Sequence, residues 1–204
     1  TLHYLQGKAG RQKAQAEQVI SELKDKPKKY PAFIIMAIVI ILDQVTKILT
    51  RAFTLEGHSY PVLQNIFGDT FRFTHLRNTG AAFSISLSNP AWNRVFFVSA
   101  TVLAVVFVLY LLRHATNKIQ VIAFGLVLGG AIGNNLIDRL FFGAVTDFID
   151  VDFPNIFGLE RWPVFNVADS AIFCAMILLI IDMLFIKSTP VKEVPPNEIN
   201  TKEL

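Results

Sequence analysis

The chain has 204 residues, 52% of them hydrophobic, with a mean hydropathy of +0.46 and a formal net charge of +3. That is too apolar for an ordinary soluble domain, and the apolar residues come in long blocks, so a membrane protein is expected. One cysteine, Cys174, excludes an intramolecular disulfide and any cysteine-based metal site, and lysines gathered at the termini suit membrane orientation rather than nucleic-acid binding.

Residues 1–29 are polar and basic and read as a solvated cytoplasmic extension. The chain opens on Thr1 rather than methionine, so part of this end is expected to stem from expression. Phe33 to Leu42 is wholly apolar, and the helix is expected to continue through Asp43-Gln-Val-Thr-Lys47 towards Leu49. Asp43 and Lys47, four residues apart, can pair on one face of this first span. The charged pair and the lack of a small-residue cleavage site argue against a signal peptide.

From Arg51 to Trp92 no spanning block occurs, and Gly57, Pro61, Gly68, Gly80 and Pro90 punctuate the segment. Phe71–Leu76 and Tyr60–Leu63 predict short strands, a small sheet at the membrane surface, with Asn78-Thr-Gly-Ala-Ala-Phe83 as a tight turn. His58 and His75 lack metal-ligand spacing, and no metal or cofactor is expected. Val95–Leu112 is the second span, ended by Arg113, His114 and Lys118. Ile119–Ile137 is the third; its Gly125, Gly129 and Gly133 form a face that a neighbour can approach closely. Asn134 and Asn135 near its end must find partners inside the protein.

The outward segment that follows gathers Asp138, Asp147, Asp150 and Asp152, and Asp169 stands at the next membrane boundary. Val167–Ile186 is the fourth span, with Pro163 ahead of it and Asn166 placed to cap its first turn. Cys174 is expected to pack as a small residue. Asp182 is expected to reach the interface or pair with Lys187, without a function. The tail from Ser188 is polar and rich in proline, and is expected to be disordered. A membrane domain over 30–187 thus lies between an extension, 1–29, and a tail, 188–204.

Each span has about 20 residues, enough to cross roughly 30 Å of hydrocarbon. The basic flanks put both termini and the 113–118 turn in the cytoplasm, and segments 51–92 and 138–166 outside. Arg51, Arg72, Arg77, Arg139 and Arg161 lie on the outward side against that rule, but the even number of spans supports it. The expected fold is all-α and membrane-embedded. It has four transmembrane helices, a small extracytoplasmic β-sheet cradle between helices 1 and 2, and a loop or flap between helices 3 and 4.

A carboxylate at a bilayer centre costs roughly 2.5–3.5 kcal/mol even on a lenient scale, so these acids need a reason. No nucleophile elbow, phosphate loop or HExxH motif is present, which leaves Asp43, Asp138, Asp147 and Asp169. Two ionised carboxylates about 3 Å apart repel by roughly 5 kcal/mol at an effective dielectric of 20. One proton then stays on the pair, giving one acid and one base, which amide hydrolysis needs. Pattern alone leaves other readings open. Asn166-x-x-Asp169 has helix-cap spacing, Asp138-Arg139 could mark a helix end, and a proton- or ion-coupled carrier could use Asp43 and Asp138.

Five motifs change that balance: Asp43-Gln-Val-Thr-Lys47, Asn78-Thr-Gly-Ala-Ala-Phe83, Gly129-Gly-Ala-Ile-Gly-Asn-Asn-Leu-Ile-Asp-Arg139, Val145-Thr-Asp-Phe-Ile149 and Phe165-Asn-Val-Ala-Asp-Ser170. In this order, over roughly 33–187, they resemble those of lipoprotein signal peptidase (signal peptidase II). One departure is the doubled asparagine; the family's Asn-x-x-Asp spacing selects Asn135 and leaves Asn134 as an extra or replaced neighbour. The resemblance implies an aspartyl protease of the bacterial inner membrane. It would cut the signal peptide from a prolipoprotein just before a diacylglyceryl-modified cysteine. It implies a dyad of Asp147 and Asp169, with Asp43, Asn78, Asn135, Asp138, Arg139 and Asn166 ordering the site or contacting substrate. It implies no metal or organic cofactor, and the expected partners are membrane lipids, with a monomer and no nucleic acid.

Overall fold

A computed structural model describes residues 26–80, 89–152 and 161–185. Most of 1–29, Ala81–Phe83 of the expected turn, Phe157, Lys187 and the tail from Ser188 lie outside those residues. Among the described residues, four helices are long and apolar enough to cross a membrane. They are α1 (Tyr30–Phe53), α3 (Pro90–His114), α4 (Lys118–Ala131) with its π-helical continuation Ile132–Phe142, and α5 (Val167–Phe185). A single turn, α2 (Gln64–Phe67), lies between the first two spans. Proline enters the first turns of α1 and α3, where its missing N–H has no partner to lose. Asn89 and Asn117 cap α3 and α4, accepting from Ala91 N–H at 2.8 Å and Gln120 N–H at 3.0 Å.

Small residues put α4 in the middle. A Cβ on Gly125 would come 2.7 Å from Ala32 O, and one on Gly129 would come 2.7 Å from Val39 Cβ, so α1 lies against that face. A Cβ on Gly130 would meet Ala168 O at 2.6 Å, which brings α5 onto the other side. The expected four-residue glycine stripe therefore does its work by close helix approach. Many leucines and aromatics of α3 and α5 point outward, among them Leu103, Phe107, Phe173 and Leu184, as helices facing lipid require.

One expectation on α5 needs correction. Cys174 is exposed, because Ala168, Ala171 and Ala175 form the packing face instead. Asn117 Nδ2 and Gln120 Nε2 donate to Asp182 at 2.5 and 2.6 Å, tying α5 to the start of α4, while Lys187 lies outside the described residues.

The sheet is antiparallel, in the order β1 (Ser59–Pro61), β2 (Phe71–Asn78), β3 (Val145–Val151). Its third strand comes from the segment between the third and fourth spans, expected above to be only a loop or flap. The sheet is thus stitched from the segment between the first two spans and the segment between the last two, with Phe71 opposite Val151 and Leu76 opposite Asp147. A register shift between Phe73 and Leu76 bends the ladder beside that aspartate.

Candidate active site

On α1, Asp43 and Lys47 sit one turn apart and both are fully buried. Lys47 Nζ donates to Asp43 Oδ2 at 2.7 Å, Asp138 Oδ2 at 2.9 Å and Asn134 Oδ1 at 2.6 Å. The pairing foreseen for Asp43 and Lys47 is therefore part of a larger buried group. Asp138 also accepts from Thr146 N–H and Gln44 Nε2, both at 3.1 Å, and lies 3.7 Å from Arg51 Nη1.

The π-helical segment supplies the next layer. Its i→i+5 pattern accommodates an extra residue in a helix, and such widenings occur at functional sites. Here the two asparagines take different partners. Asn134 Nδ2 donates to Asp169 Oδ1 at 2.7 Å, whereas Asn135 Oδ1 accepts from Arg139 Nε at 2.9 Å. Arg139 then donates from Nη1 to Thr79 O at 3.1 Å and from Nη2 to Gly80 O at 2.6 Å, and its guanidinium lies 4.4 Å over the Phe97 ring. That holds the chain leaving β2 against the helices.

Asp147, on β3, accepts from Asn166 Nδ2 at 2.6 Å on one oxygen and from Asn78 Nδ2 at 3.0 Å on the other. Asp169, in the first turn of α5, accepts Asn166 N–H at 3.1 Å and returns its own N–H to Asn166 Oδ1 at 3.0 Å. This reciprocal pair is a capping box, so the helix-cap spacing foreseen for Asn166 and Asp169 is real. The same asparagine joins both aspartates. Asp43 Oδ1 adds a second carboxylate at the start of α5 by accepting Ala168 N–H at 3.0 Å.

Asp147 and Asp169 face one cavity of about 220 Å³, lined also by Asn78, Asn134, Asn135, Arg139, Phe97 and Ile172. Burial is the main reason that the Asp147 carboxyl is pushed up to about 6, and the charge of Asp169 adds to it. The hydrogen bonds from Asn78 and Asn166 work the other way without cancelling the effect. Such an acid keeps its proton in a weakly acidic setting while a partner carboxylate is ionised, the condition for general acid–base chemistry on an amide. Among the described residues, no three His, Cys, Asp or Glu side chains are grouped as a metal would need.

Every residue singled out from sequence lies in this connected network. Asp147, Asp169, Asn78, Asn135 and Arg139 line the cavity, while Asn166, Asp138 and Asp43 hold it from behind. Asn134 was passed over, yet it is the asparagine on Asp169; the doubled asparagine was its only signal. Gln44, bridging Asp43 at 3.1 Å and Asp138 at 3.1 Å, was invisible as an ordinary polar residue of a helix.

The model of the signal peptidase (SPase) II family matches residues 35–185. The lipoprotein signal peptidase of Borrelia hermsii (strain HS1 / DAH) is 41% identical over 166 residues, covering 80% of this chain and 95% of the relative. That of Janthinobacterium sp. (strain Marseille) is 41% identical over 151 residues, covering 74% of this chain and 86% of the relative. Among solved structures, a bacterial membrane enzyme determined by the in meso method at 1.9 Å superposes with a TM-score of 0.66. It is 34% identical and covers 80% of this chain and 98% of its own.

Proposed function

The chain belongs to the signal peptidase II family of aspartic-type membrane peptidases, and on that premise we propose that it removes signal peptides from bacterial prolipoproteins. It cuts before the diacylglyceryl-modified cysteine, with Asp147 and Asp169 as the dyad. The observation that carries this reading is the double grip of Asn166, which donates from Nδ2 to Asp147 and from its backbone N–H to Asp169 beside one cavity.

In that reading, water between the carboxyls attacks the scissile carbonyl carbon. The ionised carboxylate takes a proton from the water while the protonated one gives its proton to the carbonyl oxygen. As the C–N bond breaks, the first carboxyl hands its proton to the leaving amine and the second regains one from the diol. Asn78 and Arg139 border the cavity where the substrate backbone lies. Asp43, Asn135, Asp138 and Asn166 hold the site in shape.

Asp169 starts α5, so it stands near a membrane surface rather than at the bilayer centre. A cysteine whose two acyl chains stay in the leaflet is held at the same depth. The protein then sits in the inner membrane as a monomer among lipids, with a membrane domain over 30–187, both termini in the cytoplasm and the dyad outside. A carrier using Asp43 and Asp138 fits less well, since both are tied to one buried lysine rather than spread along a path. The test is incubation of purified protein with a lipidated and an unlipidated precursor. A size shift for the lipidated form only, lost by orders of magnitude in Asp147→Asn and Asp169→Asn, is expected. Equal cleavage of both forms, or an active dyad variant, overturns the reading.

A further inference from the structure

Lys47 is a fully buried cation behind this site, and the proposed reaction does not use it. Its ammonium is fully buried and meets three acceptors: Asp43 Oδ2 at 2.7 Å, Asp138 Oδ2 at 2.9 Å and Asn134 Oδ1 at 2.6 Å. An ammonium has three N–H donors and no acceptor, so the atom of Asn134 facing it is the amide oxygen. The assignment of an asparagine's oxygen and nitrogen must come from such neighbours. Asn166 Nδ2 donates to the same oxygen at 3.0 Å, which fixes it again. The amide nitrogen is thereby turned the other way, 2.7 Å from Asp169 Oδ1. Reversing Asn134 would set a donor against the ammonium and a carbonyl oxygen against a carboxylate.

The charges around Lys47 nearly cancel: Asp43 and Asp138 face it, and Arg51 stands 3.7 Å from Asp138. The direct pulls of Lys47 and Asp43 on Asp169 therefore oppose each other. A directed chain adds to them, from ammonium to amide oxygen and from amide nitrogen to carboxylate, each bond polarising the next. Asp169 is also faced by Asp147 from β3, and Arg139 of the π-helical segment lines the same cavity. Among the described hydrogen bonds, the amide partners of Asp147 are Asn78 and Asn166, and neither accepts from a charged group.

We propose that Lys47 is a positioning residue of the dyad, acting through Asn134 to keep Asp169 as the ionised partner, the base that takes the proton from water. Asp147 is then the acid that protonates the carbonyl oxygen. This deepens the peptidase reading above and rests on it.

Asn134→Ala tests it, because the change cuts the chain while leaving both ion pairs of Lys47 in place. Without its charge-assisted donor the base binds a proton more readily. The acid limb of the kcat/KM profile for a lipidated precursor is expected to move up by about one pH unit, and kcat to fall more than KM rises. Lys47→Met is expected to move the same limb in the wild-type background and to move it little further in Asn134→Ala. An acid limb that stays in place in Asn134→Ala overturns the proposal, whether or not Lys47→Met folds. So does a shift from Lys47→Met that is the same size in both backgrounds. A wild-type protein that fails to cleave the precursor overturns the peptidase reading instead, so the two failures are told apart.

Discussion

Asp138→Asn separates scaffold from chemistry. Asp138 is fully buried and takes four approaches, from Lys47, Thr146 N–H and Gln44 within 3.1 Å and from Arg51 at 3.7 Å. With Asp43, Lys47 and Arg51 it makes two anions and two cations. Asparagine leaves two cations sharing one carboxylate and also turns an N–H towards groups that are all donors. Breaking a buried pair by removing one partner costs about 3–5 kcal/mol, because the other charge stays desolvated. At about 2–4 °C per kcal/mol for a chain of this size, the melting temperature should fall by roughly 6–20 °C. Melting in detergent and cleavage of a lipidated precursor are measured on the same preparation, cleavage well below each variant's own transition. Folded Asp138→Asn should still cut, since Asp138 stands behind Lys47 and outside the cavity lining. A variant with an unchanged melting temperature and no activity would refute this, and would place Asp138 in the chemistry.

Asp147 gives a pH dependence of opposite sign to a salt-bridged acid. Its folded carboxyl holds a proton up to about 6, against about 4 when unfolded, so the folded state binds more protons between those values. Its contribution to stability is present below about pH 4 and lost as pH rises through about 6. Asp147→Asn should melt with the wild type at low pH and a few degrees higher above pH 6; a variant that melts lower at pH 7 contradicts this. Gly133→Ala would put a Cβ 2.8 Å from Asp43 Oδ2, pushing Asp43 off Lys47 and off Ala168 N–H. A loss of about 1–3 kcal/mol is expected, read as a lower melting temperature, and an unchanged one would show that Asp43 has room to move. For topology, single cysteines are placed in a Cys174→Ala background, since Cys174 is itself exposed. A membrane-impermeant reagent on intact cells should label His58→Cys and spare Lys118→Cys, and the reverse pattern sinks the proposed orientation.

The four spans were legible because each is a block of apolar residues, and the close approach of α4 to its neighbours because glycine recurs on it. The third strand was not. Val145–Val151 is covered on both faces, so no alternation marks it, and its two acids, Asp147 and Asp150, read as loop chemistry. Arg161 Nε and Thr74 Oγ1 meet the buried Asp150 at 2.9 and 2.6 Å, from 11 and 76 positions away in sequence. The π-helical turn is equally silent in composition. It decides which asparagine reaches Asp169, whereas the family's Asn-x-x-Asp spacing selected Asn135.

The helix-cap reading of Asn166 and Asp169 competed with the active-site reading at the level of sequence, and the structure forms the cap with the atoms that the proposed dyad would use. The first turn of a membrane helix leaves N–H groups that lipid cannot satisfy. At α5, two carboxylates meet that need: Asp43 on Ala168 N–H and Asp169 on Asn166 N–H. The positive end of the helix favours an anion by about 0.3–1 kcal/mol, and each bond to a charged acceptor adds to that. An ionised Asp169 is thus part of what starts the helix, so holding the proposed base ready for reaction and ending the span at the membrane surface are one structural act. The competing readings do not exclude each other here, because the cap would make a charged Asp169, the proposed base, tolerable at that depth.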